Sequence, residues 1–197
     1  MELMKNKCQN STKLIYFDTD CLSSFLLVGK EEIIAKLFQG RIVIPIQVYI
    51  ELNKPAIRNI LKTKLDDFIK KNKIEVKEVK TNTKEEKLFS ELVCGKNNKI
   101  IGNGEAICIA LAKIYNGILA SNNLKDICYY IKKYNLEFLT TGHILVSALQ
   151  NKIIGLDEGE ETWQKMLEKK RKIGPGTFKE YLRNYNNPNN HVHFPCK

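Results

Sequence analysis

The chain has 197 residues, 43% of them hydrophobic, which is enough for one compact domain with its own core. Lys and Arg outnumber Asp and Glu by 32 to 22, and the resulting net charge of +10 favours a polyanionic partner, although lysine-rich composition also serves ordinary solubility. The first residues lack the apolar region of a signal peptide, no apolar run is long enough to span a membrane, and the six cysteines form no CxxC pair. These features argue against membrane and disulfide-rich classes, and they predict a cytoplasmic protein with reduced thiols.

Short apolar strands alternate with amphipathic helices along most of the chain. In chain order the predicted elements are strand 14–17, helix 22–37, strand 42–44, helix 48–52, helix 57–71, strand 74–79, helix 84–94, helix 104–116, strand 118–120, helix 124–134, strand 138–139 and helix 143–150. Wholly apolar strands separated by helices are typical of a parallel sheet that is covered on both faces. The sequence therefore predicts an α/β fold, a three-layer sandwich with a short, mainly parallel sheet flanked by helices.

The two ends of the chain differ in composition from this α/β region. Residues 1–13 are polar and basic and are predicted to be flexible, whereas residues 14–155 are predicted to form the domain itself. Residues 156–197 begin with an acidic cluster and become basic, which predicts a C-terminal helix and tail. Trp163 and the basic residues that follow it either contact RNA or anchor the tail helix on the core.

Acidic residues stand near the ends of the predicted strands, where the functional groups of parallel sheets collect. Asp18 directly follows the first strand, and Asp126 follows strand 118–120. Glu105 begins the helix before that strand, where it also suits the helix dipole. Glu51 lies in an apolar helix, where a lone buried carboxylate would be costly. Converging carboxylates suit a hard cation such as Mg²⁺ or Mn²⁺, which can activate water for phosphoryl chemistry; the alternative is a set of solvated surface acids.

Four short motifs, in their order and spacing, resemble the PIN-domain family, the fold of VapC-type toxins and related ribonucleases. The family has an Asp after its first strand, a Glu in the helix after its second strand, a Gly-Glu-Ala at the head of an apolar helix and an Asn and Asp after its fourth strand. The matching segments are Asp18-Thr19-Asp20-Cys21-Leu22, Val48-Tyr49-Ile50-Glu51-Leu52, Gly104-Glu105-Ala106 and Ser121-Asn122-Asn123-Leu124-Lys125-Asp126-Ile127. The resemblance covers about residues 13–150.

The resemblance implies a ribonuclease in which Mg²⁺ or Mn²⁺ is held by Asp18, Glu105 and Asp126, with Glu51 completing the catalytic set. Water activated by the metal would attack an RNA phosphodiester. Asn123 matches the family asparagine that orients an acid or the substrate phosphate. The other supporting residues are Ser121, Asn122 and Asp20, the last of which is alternatively an N-cap. The implied partners are RNA, an antitoxin protein and a second copy of the chain, with no membrane.

One departure from the family pattern keeps an alternative open. Many related PIN proteins carry two aspartates after the fourth strand, where this chain has Asn122-Asn123. If the acid belongs there rather than at Asp126, the site lacks a charge. The chain would then be a catalytically weak or inactive PIN-like module that binds RNA or protein. A third hypothesis is a regulator that binds a nucleotide through the α/β fold alone.

Overall fold

The computed structural model describes residues 11–54, 59–95 and 101–186, so most of the segment 1–13 and the last eleven residues lie outside it. Within the described residues the strands are β1 (Ile15–Phe17), β2 (Ile42–Pro45), β3 (Glu75–Lys77), β4 (Ile118–Ala120) and β5 (Glu137–Leu139). The helices there are α1 (Thr19–Val28), α2 (Glu31–Leu37), α3 (Ile46–Leu52), α4 (Asn59–Asn72), α5 (Lys84–Val93), α6 (Asn103–Ile114), α7 (Leu124–Tyr134), α8 (Thr141–Gln150), α9 (Leu156–Glu168) and α10 (Phe178–Asn186). The predicted α/β fold is confirmed.

β1 lies at the centre of a five-stranded sheet whose order, among the described residues, is β3-β2-β1-β4-β5. Each neighbouring pair is parallel. The residues of β1, β2 and β4 are buried, as expected for strands with helices on both faces, whereas the edge strand β3 is partly exposed. The chain first leaves β1 towards β2 and later returns to its other side as β4. Parallel sheets form a binding crevice at such a reversal, beyond the carboxyl ends of the strands.

The helix predicted over residues 22–37 is two helices, because the chain turns at Gly29. This residue has φ +68°, a left-handed conformation that glycine adopts without steric cost. Its amide donates to the Leu26 carbonyl at 3.3 Å, and the next amide donates to the Phe25 carbonyl at 3.0 Å, which closes α1 with a Schellman-type turn. The prediction of one continuous helix is therefore wrong at this position.

Trp163 fixes α9 and α10 on the rest of the domain. Its side chain is fully buried, and its indole N–H donates to the Gly176 carbonyl at 3.0 Å. The ring packs against Phe178 and Tyr181 of α10, with centroids 6.0 and 5.1 Å away. Of the two roles considered for Trp163, anchoring is therefore the one that the structure shows.

His143 completes a capping box with Thr140 at the start of α8.

The close approach of α8 and α10 predicts that Gly142→Ala destabilises the protein. A Cβ atom at Gly142 would lie 2.3 Å from Cζ of Tyr181, a ring that is itself almost fully buried. Overpacking of this kind costs about 1–3 kcal/mol. Urea unfolding followed by circular dichroism would measure the loss, with Gly155→Ala as the control because nothing lies within 4 Å of a Cβ there. Equal midpoints for the two variants would contradict the prediction.

The cysteines differ in their surroundings. Cys21 and Cys108 are buried free thiols, and Cys94 is an exposed free thiol. Cys128, on α7, is partly buried. Within the described ranges no helix is both long and apolar enough to cross a membrane.

Candidate active site

The four predicted acids lie around one cavity at the carboxyl edge of β1 and β4. Asp18 directly follows β1, and Asp126 lies in the first turn of α7, beyond β4. Glu51 reaches the cavity from α3, and Glu105 from the first turn of α6. The cavity encloses about 600 Å³, and its polar side chains are those of Asp18, Thr19, Asp20, Ser23, Glu51, Glu105, Asn123, Asp126 and Arg171. The four acids, which come from four separate segments, thus meet in one place.

Asp18 is the most deeply buried of these acids, with 1% of its surface exposed. It is the N-cap of α1, and its Oδ1 accepts from the Cys21 amide at 2.7 Å. Its Oδ2 is buried without a hydrogen-bond partner of ordinary geometry. Burial raises the pKa of the carboxyl to about 7, helped by the negative charges of Asp20 and Glu105 and opposed by the Ser121 hydroxyl and the Cys21 amide. A buried oxygen with a spare lone pair is suited to a cation or a proton.

Glu51 links α3 to the amino end of α6. Its Oε1 accepts from the Gly104 amide at 3.0 Å, and its Oε2 accepts from the Thr19 hydroxyl. A Cβ atom at Gly104 would lie 2.7 Å from that Oε2, so the approach requires glycine. The expected cost of a carboxylate in an apolar helix is therefore offset by hydrogen bonds. Through the Gly104 amide, Glu51 also positions the neighbouring Glu105.

Asn123 joins the two remaining acids. Its Nδ2 donates to Oε1 of Glu105 at 2.6 Å and to Oδ2 of Asp126 at 2.7 Å. Because ionised carboxylates only accept hydrogen bonds, the amide nitrogen must be the atom that faces them. Burial raises the pKa of Glu105, and the nearby Asp126 charge adds to the rise, whereas the Asn123 amide opposes it. Asn123 thus stabilises two like charges that would otherwise repel each other.

The strand order and the shared cavity agree with the resemblance found in the sequence, and a family model decides the matter. The model DUF3368, described as a PIN domain, matches residues 14–187. The chain belongs to this PIN-domain family. The match includes α9 and α10, which lie beyond the four motifs.

Comparison with solved structures gives a weaker similarity than the family model does. One similar solved structure is described as VapBC2 from Rickettsia felis bound to a DNA fragment from their promoter. It is 20% identical over 64% of this chain and 98% of that chain, with a TM-score of 0.48. A search of curated proteins finds no significant match.

The two asparagines that depart from the family pattern have different roles in this PIN domain. Asn122 faces Thr141 at the start of α8: its Nδ2 donates to the Thr141 hydroxyl at 2.9 Å, and its Oδ1 accepts from the Thr141 amide at 2.8 Å. It is not among the described residues that line the cavity, whereas Asn123 is. The buried Ser121 hydroxyl accepts from the Asn123 amide at 3.3 Å and so shapes the loop between them. Only Asn123 stands where an added carboxylate would face the other acids.

Asp20 does not cap α1, since Asp18 occupies that position. Instead, Oδ1 of Asp20 forms a salt bridge with the guanidinium of Arg171, which comes from the segment after α9. The N-cap interpretation of Asp20 is therefore wrong, because Asp20 is already the second residue of the helix and the cap is the residue that precedes the helix. Sequence reasoning also missed Arg171, because nothing local to residue 171 indicates that it meets residue 20.

The position of Asn123 predicts that Asn123→Asp lowers the stability of the metal-free PIN domain by about 1–3 kcal/mol. The change removes two hydrogen bonds and places a third carboxylate beside Glu105 and Asp126. A cation would relieve that repulsion, so Mn²⁺ should raise the Tm of this variant more than that of the wild type. Thermal unfolding with and without Mn²⁺ measures both effects. Asn122→Asp is the control, and an equal response of the two variants would contradict the prediction.

The PIN family implies a divalent metal, and the side chains that line the cavity show what kind of ion they could hold. Among the described residues no group of three carboxylate, histidine or cysteine side chains is placed to hold one ion, so the predicted set of Asp18, Glu105 and Asp126 does not form a closed site. Mg²⁺ commonly uses only one or two carboxylates, with water and substrate oxygens as the other ligands. The buried Oδ2 of Asp18 and the carboxylate oxygens of the lining suit such an ion. The residues therefore fit a hydrated Mg²⁺ or Mn²⁺ rather than a fully enclosed one.

Proposed function

We propose that this PIN domain is a Mg²⁺- or Mn²⁺-dependent endoribonuclease whose acidic site is formed by Asp18, Glu51, Glu105 and Asp126. The observation that carries the proposal is the meeting of these four acids around one cavity in which the buried Oδ2 of Asp18 has no hydrogen-bond partner of ordinary geometry. When bound, the ion would lower the pKa of a water ligand and offset the charge of the phosphodiester in the transition state. A bound cation would explain why four carboxylates converge in one cavity, since like charges repel each other without it.

Each acid has a distinct task in this proposal. Asp18 and Glu105 are the principal metal ligands, and Asp126 completes the acidic pocket on the far side of Asn123. Glu51 has both oxygens engaged, so its task is to hold the amino end of α6 and with it Glu105. Asn123 keeps Glu105 and Asp126 together before the metal arrives. The excess of basic residues over the whole chain attracts RNA to this negatively charged cavity.

The biological setting proposed is that of a cytoplasmic toxin in a toxin–antitoxin pair, silenced by an antitoxin protein and paired with a second copy of itself. This part of the proposal is supported by the four motifs that resemble VapC-type toxins and by membership of the PIN-domain family. Expression of the chain alone should then arrest growth, and coexpression with its antitoxin should relieve the arrest. Normal growth at high expression of the active protein would contradict the toxin role while leaving the nuclease activity open to its own test.

The nuclease activity is tested by incubating the purified protein with 5′-labelled single-stranded RNA under three conditions. We expect cleavage with Mn²⁺ or Mg²⁺, no cleavage with EDTA, and recovery when excess metal is added back. A DNA strand of the same sequence serves as the substrate control. Cleavage that persists in EDTA would contradict the metal-dependent mechanism.

A catalytically weak or inactive module that binds RNA or protein is the second candidate. The observation that favours it is Asn123, which stands among the acids where related proteins often have a carboxylate and which occupies oxygens of both Glu105 and Asp126. This candidate predicts salt-sensitive RNA binding without turnover at any metal concentration. Metal-dependent turnover by the wild type would exclude it. If Asn123→Asp gained cleavage that the wild type lacks, the second candidate would be established.

A further inference from the structure

Arg171 is the one basic side chain among the described residues that line the acidic cavity. It follows α9, where the chain turns sharply: the Lys170 amide donates to the Leu167 carbonyl at 2.8 Å, and the Arg171 amide donates to the Met166 carbonyl at 3.0 Å. Lys170 takes the left-handed conformation that this turn requires, with φ +57°. Arg171 therefore leaves the helix in a fixed direction, towards the cavity.

The guanidinium of Arg171 is only partly used by the contacts that the structure shows. One terminal nitrogen forms the salt bridge with Asp20. The Nε is buried and has no hydrogen-bond partner. A guanidinium has five N–H donors arranged as a planar fork, which matches the oxygens of a phosphate or a carboxylate. About a quarter of the side chain is exposed, so a ligand in the cavity can reach it.

A purely structural role for Arg171 is poorly supported by its surroundings. The segment that carries it is already anchored by the buried Trp163 and Phe178. The neighbouring cations Lys169, Lys170 and Lys172 point into solvent, whereas Arg171 alone is directed to the acids. A cation at that position can bind an anionic group that enters the cavity.

We propose that Arg171, oriented by Asp20, forms a phosphate-binding subsite of the acidic cavity that takes a backbone phosphate of the RNA. The subsite rests on the proposed nuclease function for the identity of its ligand. The acids and their metal would act on the phosphodiester that is cleaved. The guanidinium of Arg171 would bind two oxygens of a phosphate group and so fix which nucleotide of the RNA lies at the acids. Asp20 is then a positioning residue, since it holds the guanidinium without touching the RNA.

The test compares Arg171→Gln with Lys172→Gln, which removes the same charge from an exposed position one residue away. Binding of a fluorescein-labelled ten-nucleotide RNA is measured by anisotropy with Ca²⁺ in place of the catalytic metal, and KM and kcat are measured with Mn²⁺. Loss of a charge-assisted hydrogen-bond pair should weaken binding and raise KM by about tenfold or more for Arg171→Gln, with kcat less affected. Lys172→Gln should stay within about twofold of the wild type. Arg171→Lys, which keeps the charge without the fork, should fall between them.

The variant Asp20→Asn distinguishes a phosphate-binding subsite from a salt bridge that is only structural. If the pair only fastens the C-terminal segment, Asp20→Asn and Arg171→Gln should lower the Tm and weaken RNA binding to the same degree. The subsite instead predicts that Asp20→Asn loses less RNA affinity than Arg171→Gln does, because the guanidinium keeps its charge and its donors although the carboxylate no longer orients it. Equal losses in these two variants, equal losses in Arg171→Gln and Lys172→Gln, or no RNA binding by the wild type would each overturn the subsite. The binding measurements do not need cleavage, so a wild type that binds RNA through Arg171 but never cuts it would overturn the nuclease proposal alone.

Discussion

Asp18→Asn is expected to reduce metal-dependent RNA cleavage by on the order of a hundredfold to a thousandfold. The substitution removes a negative charge from the proposed ligand pair and replaces the buried carboxylate oxygen that has no partner. It preserves the shape of the side chain, and an asparagine remains a good N-cap for α1 because its Oδ1 can still accept from the Cys21 amide. The measurement is the initial rate of cleavage of labelled RNA at several Mn²⁺ concentrations.

The matched control for this variant is Asp67→Asn, the same chemical change at an exposed position of α4. It should cleave RNA at the wild-type rate. Isothermal calorimetry should show weaker Mn²⁺ binding by Asp18→Asn, whereas its Tm in EDTA should be no lower than that of the wild type. Full activity in Asp18→Asn, or a loss accompanied by unfolding, would contradict the role assigned to this carboxylate.

The sequence was sufficient to predict where the acids meet because their positions follow from two regularities. Asp18 follows a buried strand, and Glu105 opens the helix that leads into the neighbouring strand β4. In a parallel sheet the carboxyl ends of adjacent strands lie at the same edge, so this placement alone predicts proximity. The pairing of β1 with β4 confirms that the strands are neighbours.

Other parts of the site depend on distances that no local pattern encodes. Asn122 and Asn123 are identical and adjacent in sequence, yet one faces Thr141 and the other faces the acids. Which of them enters the cavity depends on how the loop after β4 is held against α8. Arg171 meets Asp20 across 151 positions of sequence, and its contact exists only because α9 packs beside α1. Sequence patterns identify local structure, and contacts of this range require the packed fold.

The fold shows the same division between local and long-range information. Short apolar runs predicted the central strands, since a strand covered by helices on both faces needs apolar residues on both sides. The break at Gly29 was visible as a residue type but was masked by the apolar periodicity on either side of it. The strand order could not be predicted from these runs, because it depends on which way each crossover helix packs.

The stability of the metal-free protein should fall as the pH rises, and Asp18 should be the cause of much of that fall. Burial raises the pKa of Asp18 to about 7 in the folded state, from an ordinary value of 3.8. Between these two values the folded protein keeps a proton that the unfolded chain releases, so higher pH favours unfolding, and the effect levels off above pH 7. From pH 5 to pH 8 the contribution is roughly 3 kcal/mol.

Urea unfolding in EDTA at pH 5 and pH 8 measures this fall, and Asp18→Asn isolates the part that comes from Asp18. The variant has no carboxyl to titrate there, so its free energy of unfolding should decrease by roughly 3 kcal/mol less than that of the wild type over the same interval. Asp67→Asn should behave as the wild type does. Because Mg²⁺ or Mn²⁺ would favour the ionised carboxylate, saturating metal should remove most of the difference between wild type and Asp18→Asn in their pH dependence. Parallel pH profiles for the two proteins in EDTA would show that Asp18 is ionised in the folded state at every pH tested, and the buried oxygen would then have a partner that the metal-free fold itself supplies.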